Sequence, residues 1–171
     1  MINHLTTETL ILRRPVAADL DPYVAFFTSE RSRFAEGPVT DDQAWRMFGT
    51  ELGHWELRGF GMFTVTSKDD AATPLGLVGP WFPAGWPEPE IGWLLWPEAE
   101  GRGIGLEAGK AVRDHVFRDL GWTTAVSYIE RGNDRSAALA RRLGAEIDPT
   151  AKSKNADTLV YRHPLPREVA A

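Results

Sequence analysis

The residues with chemistry to offer lie in one stretch, 90–105, read as EIGWLLWPEAEGRGIG. An apolar, aromatic-rich run leads through a proline and an acidic turn to Gly101, Gly103 and Gly105, and helical periodicity begins at once in LEAGKAVRDHVFRDLG. Strand, glycine loop and helix in that order make an anion site. The glycines let the backbone come close to a ligand, and the first helical turn, from Leu106, offers unpaired N–H groups at the positive end of a dipole. A phosphate-bearing ligand is the expected occupant. The chain has no cysteine, which removes disulfides, thiolate metal sites, iron–sulfur clusters and a thiol nucleophile. Chemistry beside the anion site must therefore run on Ser, Tyr, Asp, Glu, His or water. His4, His54, His115 and His163 are not spaced with one another or with carboxylates as a ligand set, and no metal is assigned.

Stepping outward from this site, the chain supplies elements to position it. At 171 residues, 43% hydrophobic and 25% charged, it is sized for one compact domain spanning 1–171, with an ordered core over 5–163 and a frayed tail over 164–171. A first strand is expected over 7–14 and a first helix over 15–30, then a loop over 31–38. Thr40 reads as an N-cap with Gln43 completing a capping box, and Trp45, Phe48, Leu52 and Trp55 follow at helical spacing as core residues. Residues 59–67 and 74–82 form an antiparallel hairpin, with Pro80 confined to an edge or bulge. The aromatic, proline-rich loop WFPAGWPEPE leads into the central strand. After the central helix come a strand over 123–130, a helix over 134–143 ended by Gly144, and two last strands over 145–148 and 158–162. No apolar run is long enough to span a membrane and no leader is apparent, so a cytoplasmic location is expected. A net charge of -5 argues against a nucleic-acid binder and suits a cationic partner.

A dinucleotide-binding oxidoreductase using NADP would also place glycines between a strand and a helix, here Gly103, Gly105 and Gly109. Residues 97–102 intervene where that motif follows its strand directly, and too few strands remain for a doubly wound sheet. EGRGIG, at 100–105, is instead similar to the Q/R-x-x-G-x-G/A signature of the GNAT superfamily of acyl-CoA N-acyltransferases. EIGWLLWPEAEGRGIGLEAGKA and NDRSAALARRLGA resemble in particular the ribosomal-protein N-terminal alanine acetyltransferases, with their E-I-G strand, glycine loop and N-x-x-S helix. The resemblance implies an α/β fold in which helices flank a mixed, mostly antiparallel central sheet with its fourth and fifth strands splayed.

It also implies acetyl-CoA as donor and a primary amine, on a protein N-terminus or a small molecule, as acceptor. In such proteins the pyrophosphate lies on the loop N–H groups, here of Gly101, Arg102, Gly103, Ile104 and Gly105, and the pantetheine arm pairs with the central strand near Leu94 and Leu95. By the same resemblance Ser136 protonates the CoA sulfur, Asn133 contacts the pantetheine, and Glu90 takes the amine proton, with Glu88 or water as alternatives. Read without the resemblance, Asn133 or Asp134 caps a helix and Glu90 is an exposed carboxylate at a strand start. Direct transfer in a ternary complex is expected of a cysteine-free chain. A non-catalytic acyl-CoA-binding module is the alternative. Glu100 stands where the family has Gln or Arg, and its side chain is expected to turn away from the phosphate. Lys110 and Arg113 are read as solvated charges, the alternative being contact with the ligand's ribose phosphate. Trp45, Trp55, Trp81, Phe82 and Trp86, with Glu88 or Glu90, are expected to wall the acceptor pocket; the competing assignment for the aromatic loop is a homodimer interface.

Overall fold

A computed structural model describes residues 2–166. Pro164 to Pro166 have no regular structure, and the rest of the expected tail lies outside the described residues. The expected first strand is shorter, β2 (Leu10–Arg13), and an unexpected strand, β1 (His4–Thr6), precedes it across a turn. The Glu107 carboxylate holds that turn, accepting from the Thr9 N–H at 2.8 Å and from the Thr7 and Thr9 hydroxyls at 2.5 and 2.9 Å.

The first helix is shorter than its sequence pattern. It comprises α1 (Leu20–Phe27) after a single 3-10 turn. Asp19, at the end of that turn, is buried and bound by both terminal nitrogens of Arg13 at 2.8 and 2.7 Å. At the other end the Thr28 and Ser29 hydroxyls donate back to the carbonyls of Val24 and Phe26, ending the helix by side-chain competition. Helix α2 (Asp41–Arg58) starts in the expected box, with the Gln43 side chain accepting the Thr40 N–H at 3.0 Å, and stops at left-handed Gly59. Ala44, Phe48, Glu51 and Trp55 form its inward stripe. Trp45 falls off that stripe and is 61% exposed, so it belongs neither to the core nor to a pocket wall.

Strands β3 (Phe63–Ser67), β4 (Gly76–Trp81) and β5 (Glu90–Leu95) follow, then α3 (Ile104–Arg118), β6 (Val126–Glu130), α4 (Asp134–Arg142), β7 (Glu146–Ile147) and β8 (Thr158–Arg162). They build one eight-stranded sheet ordered β1-β2-β3-β4-β5-β6-β8-β7. All neighbours are antiparallel except β5 and β6. That ordering excludes a doubly wound parallel sheet. Pro80 lies beyond Val78, where β3 stops pairing with β4, so its missing N–H costs no ladder bond there. Strand alternation divides the core between two faces. Leu77 and Leu94 pack with Tyr23, Phe27 and Phe48 from α1 and α2, whereas Val78 and Ile91 pack with Val112 and Val116 of α3. Among the described residues no helix is long and apolar enough to cross a membrane.

Candidate active site

The site begins where the sheet opens. Strands β5 and β6 share one register pair, Glu90 with Val126, and then diverge, while β4 and β5 stay paired without interruption from Trp81–Glu90 to Gly76–Leu95. The strands that part are the central strand and the strand after α3, the same two that were expected to splay, and they are parallel neighbours. The Ser127 hydroxyl bridges the start of the gap, donating to the Ile91 carbonyl at 2.6 Å. Backbone alternation decides which peptide groups face it. Trp96 donates to Leu75 across the β4 side, so Leu94 and Gly92 share that direction, and Trp93 and Leu95 turn their N–H and C=O toward the gap. Of the two expected backbone contacts, Leu95 therefore presents its peptide groups to the gap and Leu94 gives its own to β4.

The gap is part of a cavity of about 450 Å3 that continues to the glycine loop and is lined by Glu90, Trp93, Leu95, Gly101, Asn133 and Ser136, among others. Helix α3 starts at Ile104, two residues earlier than its periodicity suggests, with Gly103 as N-cap. Gly101 and Gly103 hold φ of 71° and 79°, conformations that side chains resist. Gly105 has a different task. A Cβ there would lie 2.8 Å from Leu95 Cδ1 and 3.1 Å from Leu139 Cδ2, so its bareness lets the helix start pack closely on β5 and α4. The loop and first-turn N–H groups thus stand at the mouth of the gap. Arg102 donates to the Glu98 carbonyl at 3.2 Å, which folds its side chain back along the loop.

Asn133 does cap α4, its Oδ1 accepting the Ser136 N–H at 3.2 Å, and its NH2 has no hydrogen-bond partner among the described residues. Ser136 Oγ accepts from the Trp93 indole at 3.2 Å, which fixes the hydroxyl beside β5 and leaves its own proton free to donate. Glu90 is not an exposed strand-start carboxylate. It is 9% exposed, accepts from Trp86 Nε1 at 2.6 Å and from the Tyr128 N–H at 3.3 Å, and lines the cavity. Burial pushes its carboxyl above the ordinary range, and nearby Glu36 adds to this; the charge of Lys154 and the two hydrogen bonds oppose the shift. Glu88 is committed elsewhere, to both terminal nitrogens of Arg162 at 2.8 and 3.0 Å.

Glu100 lines the cavity but not as a bare charge. Its carboxylate pairs with Arg31 and, at 2.6 Å, with Arg135. Sequence reasoning missed both arginines: Arg31 falls in the expected loop over 31–38 and Arg135 in the expected helix over 134–143, and no local pattern brings them to Glu100. The aromatic loop is dispersed. Trp81 stacks on His54 with centroids 4.4 Å apart, Phe82 lies under Arg58, and only Trp86 reaches Glu90. Trp55 is buried with its indole donating to Met62, so it too walls no pocket. Arg113 donates to the Leu143 carbonyl at 2.7 Å and is structural, not solvated. His163 is 4% exposed at the foot of the gap, with Nε2 2.9 Å from Ser127 Oγ; burial, helped by the charge of Arg113, lowers it to about 4. Among the described residues no group of three or more His, Cys, Asp or Glu side chains could hold a metal ion.

Comparison with known proteins follows the same lines. The profile of the acetyltransferase (GNAT) domain matches residues 9–146. An acetyltransferase from Agrobacterium tumefaciens is 36% identical, with 96% of this chain and 95% of that one covered and a TM-score of 0.90. Two more distant structures share the fold. RimL, a ribosomal L7/L12 alpha-N-protein acetyltransferase in complex with coenzyme A, is 19% identical over 94% of this chain and 97% of that one, with a TM-score of 0.73. Spermidine N-acetyltransferase from Vibrio cholerae, in complex with CoA and spermine, is 17% identical over 90% and 92%, with a TM-score of 0.69. A profile matching most of the chain and a relative at 36% identity over nearly all of it lead to one conclusion: this chain is a member of the GNAT family of N-acetyltransferases.

Proposed function

We propose that the chain, acting as one domain over 1–171, transfers acetyl from acetyl-CoA directly to a primary amine held in the same complex. The observation that carries this reading is a continuous path. The β5–β6 gap runs from buried Glu90, past Ser136 on its Trp93 support, to the glycine loop at the start of α3. Its donor set suits an acyl-CoA. The N–H groups of Gly101, Arg102, Gly103, Ile104 and Gly105 and the helix dipole would take the pyrophosphate, and Arg31 and Arg135 stand close enough to add positive charge. The peptide groups of Trp93 and Leu95 would pair with the pantetheine amides as a missing strand would, and the Asn133 NH2 would add a side-chain donor.

The protons balance over two side chains. An alkylammonium loses two on becoming an amide. One passes to Glu90, whose burial gives it a basicity closer to neutral pH. The nitrogen then forms its bond to the thioester carbon, the carbon–sulfur bond breaks, and the second proton reaches the departing sulfur through the Ser136 hydroxyl. No covalent enzyme intermediate is required. The homologous folds named above include acetyltransferases of a protein N-terminus and of a polyamine, and the acceptor here is proposed to be a primary amine of one of these kinds. Membership of the ribosomal-protein branch rests on the E-I-G and N-x-x-S motifs and is part of the proposal. A homodimer through the aromatic loop is not, since Trp81, Phe82 and Trp86 are all engaged within the chain.

The test is a thermal-shift comparison of acetyl-CoA, CoA and NADPH. Acetyl-CoA at 100 times its Kd should add about 2.7 kcal/mol to apparent stability, with NADPH adding none. Stabilisation by NADPH in preference to acetyl-CoA would contradict the proposal.

A further inference from the structure

At the end of the gap away from the glycine loop, Trp86 and Tyr128 stand edge to face, with ring centroids 6.3 Å apart at 88°. Both are tied to Glu90, the indole N–H to one carboxylate oxygen and the Tyr128 N–H to the other. Two aromatic faces with a carboxylate at their base form a site for an organic cation. The site is filled from within. Lys154, on the loop between β7 and β8, places its Nζ 4.0 Å from the Trp86 ring centroid and 5.6 Å from that of Tyr128. Among the described residues Lys154 forms no salt bridge, so the aromatic faces are the contacts that hold its ammonium. Its side chain is exposed and can swing away without disturbing the core.

From this geometry we infer that the Trp86–Tyr128 pair over Glu90 is the acceptor's ammonium subsite, that Lys154 is its internal occupant, and that the acceptor which displaces it is an unhindered linear alkylammonium. The inference rests on the amine-acetylation reading and narrows it. What fits where a lysine side chain fits is a primary ammonium on a slim aliphatic chain. Glu88 does not compete for that charge, because Arg162 holds it. The ammonium that settles in the cage stands beside Glu90, the group proposed to take its proton.

Binding can be read without turnover. In an NMR titration of the full chain with n-butylammonium chloride, the Trp86 indole N–H resonance should shift saturably. The midpoint should fall at least fivefold in Lys154→Met, and Trp86→Leu should remove the saturable response seen at Tyr128. With acetyl-CoA present, Lys154→Met should lower KM for butylamine by a similar factor. An unchanged or higher midpoint in Lys154→Met, or no saturable shift in either protein, would overturn the inference. Failure of the parent reading looks different: acetyl-CoA would then neither bind nor release thiol with any amine or peptide, whatever butylammonium does at the cage.

Discussion

At the scale of single residues the account rests on Glu90 and Ser136, which the structure places along one cavity, each held by a tryptophan. Glu90 must be ionised to accept a proton, and burial raises its pKa, so activity should fall on the acid side at a higher pH than an exposed glutamate would give. Glu90→Gln should lower kcat about a hundredfold at neutral pH and lose that acid limb. A pH–rate profile the same as the parent's would remove Glu90 from the mechanism. Ser136→Ala keeps the helix start, since Asn133 caps through the Ser136 backbone N–H. It should lower kcat by roughly tenfold to a hundredfold while the KM for acetyl-CoA moves little, as expected of a group acting on the leaving sulfur. The motifs single these residues out, but their surroundings were not readable. That Glu90 is buried depends on Trp86 and Tyr128 arriving from other segments, and that Glu100 is neutralised depends on Arg31 and Arg135 converging on it. Because that carboxylate is already paired, Glu100→Gln should change the acetyl-CoA Kd by less than about threefold, measured by calorimetry. A gain of tenfold or more would mean that it repels the phosphates after all.

At the scale of elements, the strand–loop–helix unit was the most legible part of the chain, because glycine spacing and helical periodicity are local signals. What the three glycines do was not legible. Gly101 and Gly103 supply left-handed backbone with open space around them, whereas Gly105 supplies contact with Leu95 and Leu139. The two roles predict different outcomes. Gly103→Val should weaken acetyl-CoA binding by about tenfold or more through the strained loop, with a smaller loss of stability. Gly105→Val should chiefly lower the melting temperature, through overpacking against Leu95 and Leu139. If both substitutions affected binding and melting alike, the division of labour would be wrong. The splay between β5 and β6 was expected, but its position was not. It follows from where Val126 stops pairing with Glu90, a tertiary register that no local pattern encodes. The turn between β1 and β2 has a tertiary origin too, since Glu107 holds it from about a hundred residues away, whereas α1 is cut short locally by the Thr28 and Ser29 hydroxyls.

At the scale of the whole molecule, the order of elements was legible and the partners of buried charges were not. Glu51 is the clearest case. It lies on the inward stripe of α2, where its sequence position gave no warning, with Oε2 unpartnered; burial pushes its carboxyl up from 4.5 to about 8. The folded state therefore keeps a proton that the unfolded chain gives up. The associated stability is fully present below pH 4.5 and is lost as pH rises toward about 8. The loss amounts to roughly 5 kcal/mol at most. Glu51→Gln should match the parent near pH 5 and melt at a higher temperature at pH 9; parallel melting curves across that range would contradict the assignment. The central claim is that the cavity brings an acetyl thioester and an amine together for direct transfer. Its most direct test is the initial rate of thiol release from acetyl-CoA by the full chain, with and without a panel of primary amines and N-terminal peptides. The account predicts release that depends on the acceptor and equals, mole for mole, the acetylated amine formed. Release that is independent of every amine offered, or absent although acetyl-CoA binds, would contradict it.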